Sequence, residues 1–164
     1  MPTKTRSPKK RPPAKRVAVK SKATAVQSSA RSKRKQPETL RVRTMTPLLT
    51  VNNIADSLRF YTEGLGFVVK ERWEQDGKLG GVTLEAGRCQ LMLNQDDFAK
   101  GRDRVKGVGH RVWLSTVQKV DDLAARAKAA GIRLDHDVED QPWGARAFAL
   151  TDPDGFKLTV SNEK

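Results

Sequence analysis

Two stretches of this chain repeat one pattern: Val51 to Phe67 (VNNIADSLRFYTEGLGF) and, about sixty-five residues on, Val117 to Ile132 (VQKVDDLAARAKAAGI). Each is a short β-type run followed by an amphipathic helix that closes on glycine, and several further β-type runs come after it. The repetition predicts an α+β fold of tandem βαβββ modules, about residues 44–94 and 109–164, forming a curved mixed sheet around a concave site. It speaks to the fold and leaves the ligand open.

Charge divides the chain into two physically different pieces. Residues 1–43 hold fifteen of the 32 Lys and Arg and a single acid, Glu38, for +14, whereas residues 44–164 carry 17 basic and 18 acidic side chains, for −1. The first piece also has five of the eight prolines and no aromatic residue. It cannot bury enough apolar surface to offset its ordering entropy, so a disordered basic tail is expected there. The remaining 121 residues are of single-domain size and need neither metal nor disulfide to form a core.

Within the tail, Lys9, Lys10 and Arg11, then Lys15 and Arg16, then Lys33, Arg34 and Lys35 are spaced by Pro, Ala and Ser, much as in linker-histone tails. An extended cationic chain of this kind follows phosphates and displaces counterions. Non-specific nucleic acid is therefore one expected partner, bound in a salt-sensitive way and without base stacking. A solvated tail without a partner is the alternative. No run has the length of a signal-peptide core or of a membrane span, which predicts a soluble, cytoplasmic protein with no membrane partner. Cys89 is the sole cysteine, so an internal disulfide is excluded.

Along residues 44–164, Met45 to Val51 reads as a strand. Asn53, with Asp56 three positions on, caps a helix that places Ile54, Leu58, Tyr61 and Leu65 on one face and ends at Gly64 and Gly66. Phe67 to Trp73, Leu79 to Glu85 and Cys89 to Asn94 follow as strands, joined by Asp76-Gly77 and by Ala86-Gly87-Arg88. Residues 95–108 form a polar linker. His110 to Val117 is the next strand, Val120, Leu123, Ala127 and Ala130 mark a second helix closed by Gly131, and Ile132 to Val138, Ala145 to Thr151 and Phe156 to Val160 complete the second module.

Nucleophilic and phosphate-cradling signatures are missing: there is no Gly-x-Ser-x-Gly and no glycine-rich phosphate loop. The run Asp135-His136-Asp137-Val138-Glu139-Asp140 has the composition of a metal site. Period-two alternation instead puts Ile132, Leu134, His136 and Val138 on one face and Asp135, Asp137 and Glu139 on the other, as in a solvated acidic strand edge. That edge is also a candidate dock for the basic tail or a cationic ligand. The turn Asp152-Pro153-Asp154-Gly155 suits a hairpin, with Pro presetting φ and Gly supplying the left-handed conformation.

Taken together, VNNIADSLRFYTEGLGF, the second copy with its AAG ending and the terminal WGxRxFxLxDPDGFKLTV resemble the vicinal-oxygen-chelate superfamily of glyoxalase I, fosfomycin and bleomycin resistance proteins and extradiol dioxygenases. The resemblance covers nearly all of residues 44–164. It implies that side chains from four strands meet at a concave site, where metal-dependent members hold a divalent ion with His and carboxylate ligands. In this sequence the corresponding positions fall on Thr46, Met92, His110 and Thr159, although a shift in anchoring would substitute Arg111 or Val112 for His110. A single possible ligand among four implies no metal site and no cofactor.

The implied function is that of a metal-free small-molecule-binding protein resembling glyoxalase/bleomycin resistance proteins, a homodimer with its ligand in the groove. The groove would offer apolar and aromatic surface through Met92, Trp73, Trp113 and Trp143, with Arg111 or Arg146 for polarity, and would suit a cationic or aromatic ligand. For each tryptophan, a place in the core or at a subunit interface is the competing assignment. Two other classes remain: a metal-dependent lyase or dioxygenase with His110 among unorthodox ligands, and a nucleic-acid-associated protein acting through its tail.

Overall fold

Asn53 begins the first helix as expected: its side-chain oxygen accepts from the Ala55 amide at 3.1 Å, and its amide donates to Asp56 at 2.6 Å. A computed structural model describes residue 40 and residues 42–162 of the chain. The tail cations from Lys9 to Lys35 singled out above lie outside the described residues. No helix among the described residues is long and apolar enough to cross a membrane.

The elements run β1 (Leu48–Val51), α1 (Ile54–Arg59), β2 (Val68–Gln75), β3 (Lys78–Ala86), β4 (Cys89–Gln95), β5 (Arg111–Thr116), α2 (Val120–Ala129), β6 (Leu134–Asp140), β7 (Arg146–Thr151) and β8 (Lys157–Asn162). They form two four-stranded sheets with the same plan, β1-β4-β3-β2 and β5-β8-β7-β6. In each, the first strand pairs parallel with the last and the other neighbours are antiparallel. The duplication read from the sequence is thus two βαβββ units of matching topology, each with its own sheet.

One core serves both units. Leu49, Val51, Val82, Leu84, Leu91 and Leu93 from the first sheet join Phe148, Leu150, Leu158 and Val160 from the second, with Ile54, Tyr61, Val120 and Ala124 from the helical segments. The helical segments meet closely: a Cβ added at Gly64 would lie 2.0 Å from the Ile132 side chain. Arg126 of α2 donates to the carbonyls of Thr62 and Glu63 at 3.0 and 2.8 Å, satisfying the open C-terminal end of the first helical segment with a cation.

Three local expectations change. After Arg59 the first helix widens into a π turn, Phe60–Gly64, which buries Ser57, Phe60, Tyr61 and Gly64 and leaves Leu58 and Leu65 only partly covered. On α2 the buried set is Val120, Ala124 and Ala127, with Ala130 exposed. In β6, register shifts on both sides of His136 break the alternation. Leu134 pairs with Leu150 and packs on the core, but His136 pairs with Ala149 on the opposite face.

The polar linker is tied down rather than loose. Asp96, 6% exposed, accepts from the Phe98 amide at 2.9 Å and from Arg104 at 2.8 Å, and pairs with the Lys106 ammonium at 2.7 Å. These donors hold its carboxyl down at about 2. Lys106 reaches on toward Asp154 at 3.9 Å and contacts Asn52, so the linker is stitched to both units. Gly107 lies against Gly155: a Cβ there would be 2.1 Å from the Gly155 carbonyl oxygen.

Candidate functional site

Each sheet has a core face and an open face, and strand parity assigns the side chains. On β5 the core side takes Val112 and Leu114, so Arg111, Trp113 and Ser115 point the other way. Register then aligns the neighbours: Arg111 with Lys157, Trp113 with Thr159 and Ser115 with Ser161 on β8, and Ala149 and Ala147 with Thr159 and Ser161 on β7. His136 and Glu139, opposite Ala149 and Ala147, extend this face onto β6.

The floor of this face is small and covered. Thr159, Ser161, Ala147 and Ala149 are all buried although they point away from the core. Large side chains lie across them: the Arg111 guanidinium donates to the Thr159 hydroxyl at 2.9 Å, and the Trp113 indole N–H donates to the Ser161 hydroxyl at 2.9 Å. Trp143, carried by the β6–β7 connection, brings its ring to 6.2 Å from that of Trp113 at an interplanar angle of 52°. Trp113 and Trp143 remain 50% and 55% exposed, so the second unit presents two open aromatic rings, one of them anchored through its N–H.

The first sheet repeats the device more modestly. Trp73 pairs with Gly81 across β2 and β3, and a Cβ added at Gly81 would lie 2.5 Å from the Trp73 ring. Met92 lies half-buried on the same face beside Thr83 and the exposed Leu48. Thr46 precedes β1 and is partly covered. All three tryptophans therefore lie on open faces, and none belongs to the core cluster.

Arg146 faces the other way. It forms a two-pronged pair with Asp121 of α2, at 2.9 and 2.7 Å, and a second pair with Asp140 at 3.2 Å. Its partners hold its guanidinium more firmly protonated than an ordinary arginine, and it polarises no open face. The acidic run of β6 is similarly engaged: Asp137 pairs with Lys128, Asp140 with Arg146, and Asp135 accepts from the Thr151 hydroxyl at 2.5 Å.

The family-type ligand positions do not suit a divalent ion. Thr46 and Thr159 offer neutral hydroxyls, Met92 offers a thioether, and the Thr159 hydroxyl already accepts from the Arg111 cation. His110 lies in the turn before β5, exposed, with its ring edge-to-face on Phe156 at 6.3 Å. Among the described residues no three His, Cys, Asp or Glu side chains cluster as a metal site.

Behind this face a buried polar junction joins the units. The Asp154 carboxylate accepts from the Asn52 amide at 2.8 Å and from the Ser57 hydroxyl at 3.3 Å. Asp152 accepts from the Tyr61 hydroxyl at 3.0 Å and from the Asp154 and Phe156 amides. Burial pushes the Asp152 carboxyl upward against those donors, and burial beside Asp152 drives the Tyr61 phenol far above the usual tyrosine range. The Asp-Pro-Asp-Gly turn is thus both a hairpin and the seam between modules. The floor residues Ala147, Ala149 and Ser161 escape sequence reading, although the small-large alternation of Arg146-Ala-Phe-Ala-Leu-Thr151 marks a face that must lie under something bulky.

A family model described as Glyoxalase/Bleomycin resistance protein/Dioxygenase superfamily matches residues 42–160. An uncharacterized protein of Mycobacterium bovis is 30% identical over 123 residues, covering 71% of this chain and 80% of the relative. TioX from Micromonospora sp. ML1 superposes with a TM-score of 0.63 at 19% identity, over 75% of this chain and 100% of that one. A glyoxalase/bleomycin resistance protein/dioxygenase from Nocardioides superposes at 0.57 and 21% identity, over 76% of this chain and 86% of that one.

Proposed function

The chain belongs to the glyoxalase/bleomycin resistance protein/dioxygenase superfamily, and from that premise we propose that it is a metal-free protein that binds a small aromatic ligand on the open face of its second sheet. The observation that carries this reading is the Trp113–Trp143 pair. Two half-exposed indoles at 6.2 Å, one anchored through its N–H to Ser161, stand over a floor of buried small residues. The anchored Trp113 ring costs little further ordering when a flat ligand joins it, and offset or edge packing between rings contributes about 0.5–1.5 kcal/mol beyond area burial.

The working unit in this reading is a homodimer. Leu48 at 52% and Val68 at 61% exposure, with the two indoles, leave apolar surface on the open faces of both sheets. A second copy laying its first sheet over the second sheet of its partner covers these residues and turns an open face into a groove. Calorimetric titration of the full chain with a panel of planar aromatic compounds tests the ligand reading. Expected are compounds whose affinity falls about tenfold or more in Trp113→Ala or Trp143→Ala. Binding indifferent to both substitutions, or one tightly held divalent ion per chain lost on His110→Ala, would overturn it.

A second reading, that the protein associates with nucleic acid, is favoured by the separation of +14 on residues 1–43 from −1 on the remainder. It calls for retention on DNA that weakens steeply with salt and disappears when residues 1–43 are deleted.

A further inference from the structure

At one end of the same open face, a depression of about 480 Å³ is lined by Lys106, Gly107, Val108, Gly109, His110, Arg111, Gly155 and Lys157. Every charged side chain in this lining is basic. Lys106 is engaged by Asp96 at 2.7 Å. Arg111 and Lys157 are not: among the described residues neither has a carboxylate within 4.0 Å, and the only polar side-chain partner of Arg111 is the neutral Thr159 hydroxyl. Lys70, Lys128 and Arg146, by contrast, each have an acid. Of the three cations on the strands of the second sheet, Arg146 is held by acids, whereas Arg111 and Lys157 line the depression.

Register places the backbone of the pair close to that of Trp113. Arg111 and Lys157 are partners across the parallel β5–β8 ladder, and Trp113 lies two residues further along β5 on the same face. Two residues of strand span about 7 Å. The Arg111 side chain spans that gap, since its guanidinium bonds Thr159, the register partner of Trp113.

We propose that the ligand is an aromatic compound carrying an anionic group, a carboxylate or a phosphate, with its ring against Trp113 and Trp143 and its anion between Arg111 and Lys157. The inference rests on the ring-binding reading above and narrows it. A cationic ligand fits this face less well, because two of the four β6 carboxylates are already paired with cations, Asp137 with Lys128 and Asp140 with Arg146. The two basic groups line the depression with no carboxylate partner among the described residues, and a guanidinium beside an ammonium offers a fork and a point charge to one oxyanion.

Calorimetric titration of the full chain with four naphthalene compounds sharing one ring tests this: 2-naphthoate, 2-naphthyl phosphate, the neutral 2-naphthalenemethanol and the cationic 2-naphthylmethylammonium. At least one anion is expected to bind about tenfold more tightly than the alcohol. Which of the two gains more distinguishes a carboxylate ligand from a phosphate ligand. In Arg111→Gln/Lys157→Gln the anionic advantage should vanish while the affinity for the alcohol persists, which also reports an intact fold. An anion that binds no better than the alcohol, a cation that binds best, or an advantage surviving in the double variant, as attraction to the basic tail would give, each overturns the anion site and leaves the aromatic reading standing. If no naphthalene compound binds, both readings fail together.

Discussion

Asp96 and Asp152 are both nearly enclosed carboxyls, yet their surroundings push them in opposite directions. Asp96 faces a lysine, an arginine and a backbone amide, which hold it at about 2. Asp152 has no cation against it and is raised by burial. The consequences for stability have opposite signs. Because the folded value of Asp96 lies below an ordinary aspartate at about 3.9, its contribution is complete above that pH and is lost as pH falls toward its folded value. The contribution of Asp152 is complete below the ordinary value and is lost as pH rises through its raised one. Urea midpoints measured between pH 4 and pH 2 should therefore fall more steeply in the native chain than in Asp96→Asn. Parallel slopes in the two proteins would remove Asp96 from the acid response.

At the level of elements, the segment joining the modules sets the shape of the basic depression. Gly107 and Gly109 share a backbone φ of +70°, but their surroundings differ. A methyl at 109 meets nothing within 4 Å, whereas one at 107 runs into the backbone of Gly155 and Phe156. Gly109→Ala should cost only the left-handed backbone penalty, about 1 kcal/mol. Gly107→Ala adds a backbone collision and should cost more than about 2 kcal/mol, because neither wall is a flexible side chain. Equal denaturation midpoints for the two variants would show that the linker does not bear on the β7–β8 turn. The shifts in β6 belong to the same scale: they put His136 over Ala149, where strict alternation had grouped it with Leu134 and Val138.

For the whole molecule, one core and one polar seam bind the two units, while the open faces of both sheets keep apolar side chains at the surface. Sedimentation of the full chain should give a dimer. Leu48→Glu, which places a charge on an exposed strand position, should weaken that dimer more than tenfold without lowering the protomer's helix and strand content. A monomeric native protein, or a dimer indifferent to this change, would place the assembly surface elsewhere.

The tandem repeat and the succession of helices and strands along the chain were legible in the sequence, because hydrophobic period is written along each element, and so were the helix cap at Asn53 and the turns at Asp76-Gly77 and Asp152-Pro153-Asp154-Gly155, because each depends on residues within a single turn. Tertiary structure decided the rest. Ser57 became buried where Asp154, 97 residues away, accepts its hydroxyl, and Tyr61, already on the packing face by its spacing, found a hydroxyl partner in Asp152, 91 residues away. The three tryptophans came to the open faces because strand register gave each a small neighbour or a partner, Gly81, Ser161 or another indole. Arg111 and Arg146 each open a strand of the second sheet, at its opposite ends, yet among the described residues one lacks an acid and the other has two. Composition cannot separate them, since pairing depends on which face a strand turns outward and what another part of the chain places beside it.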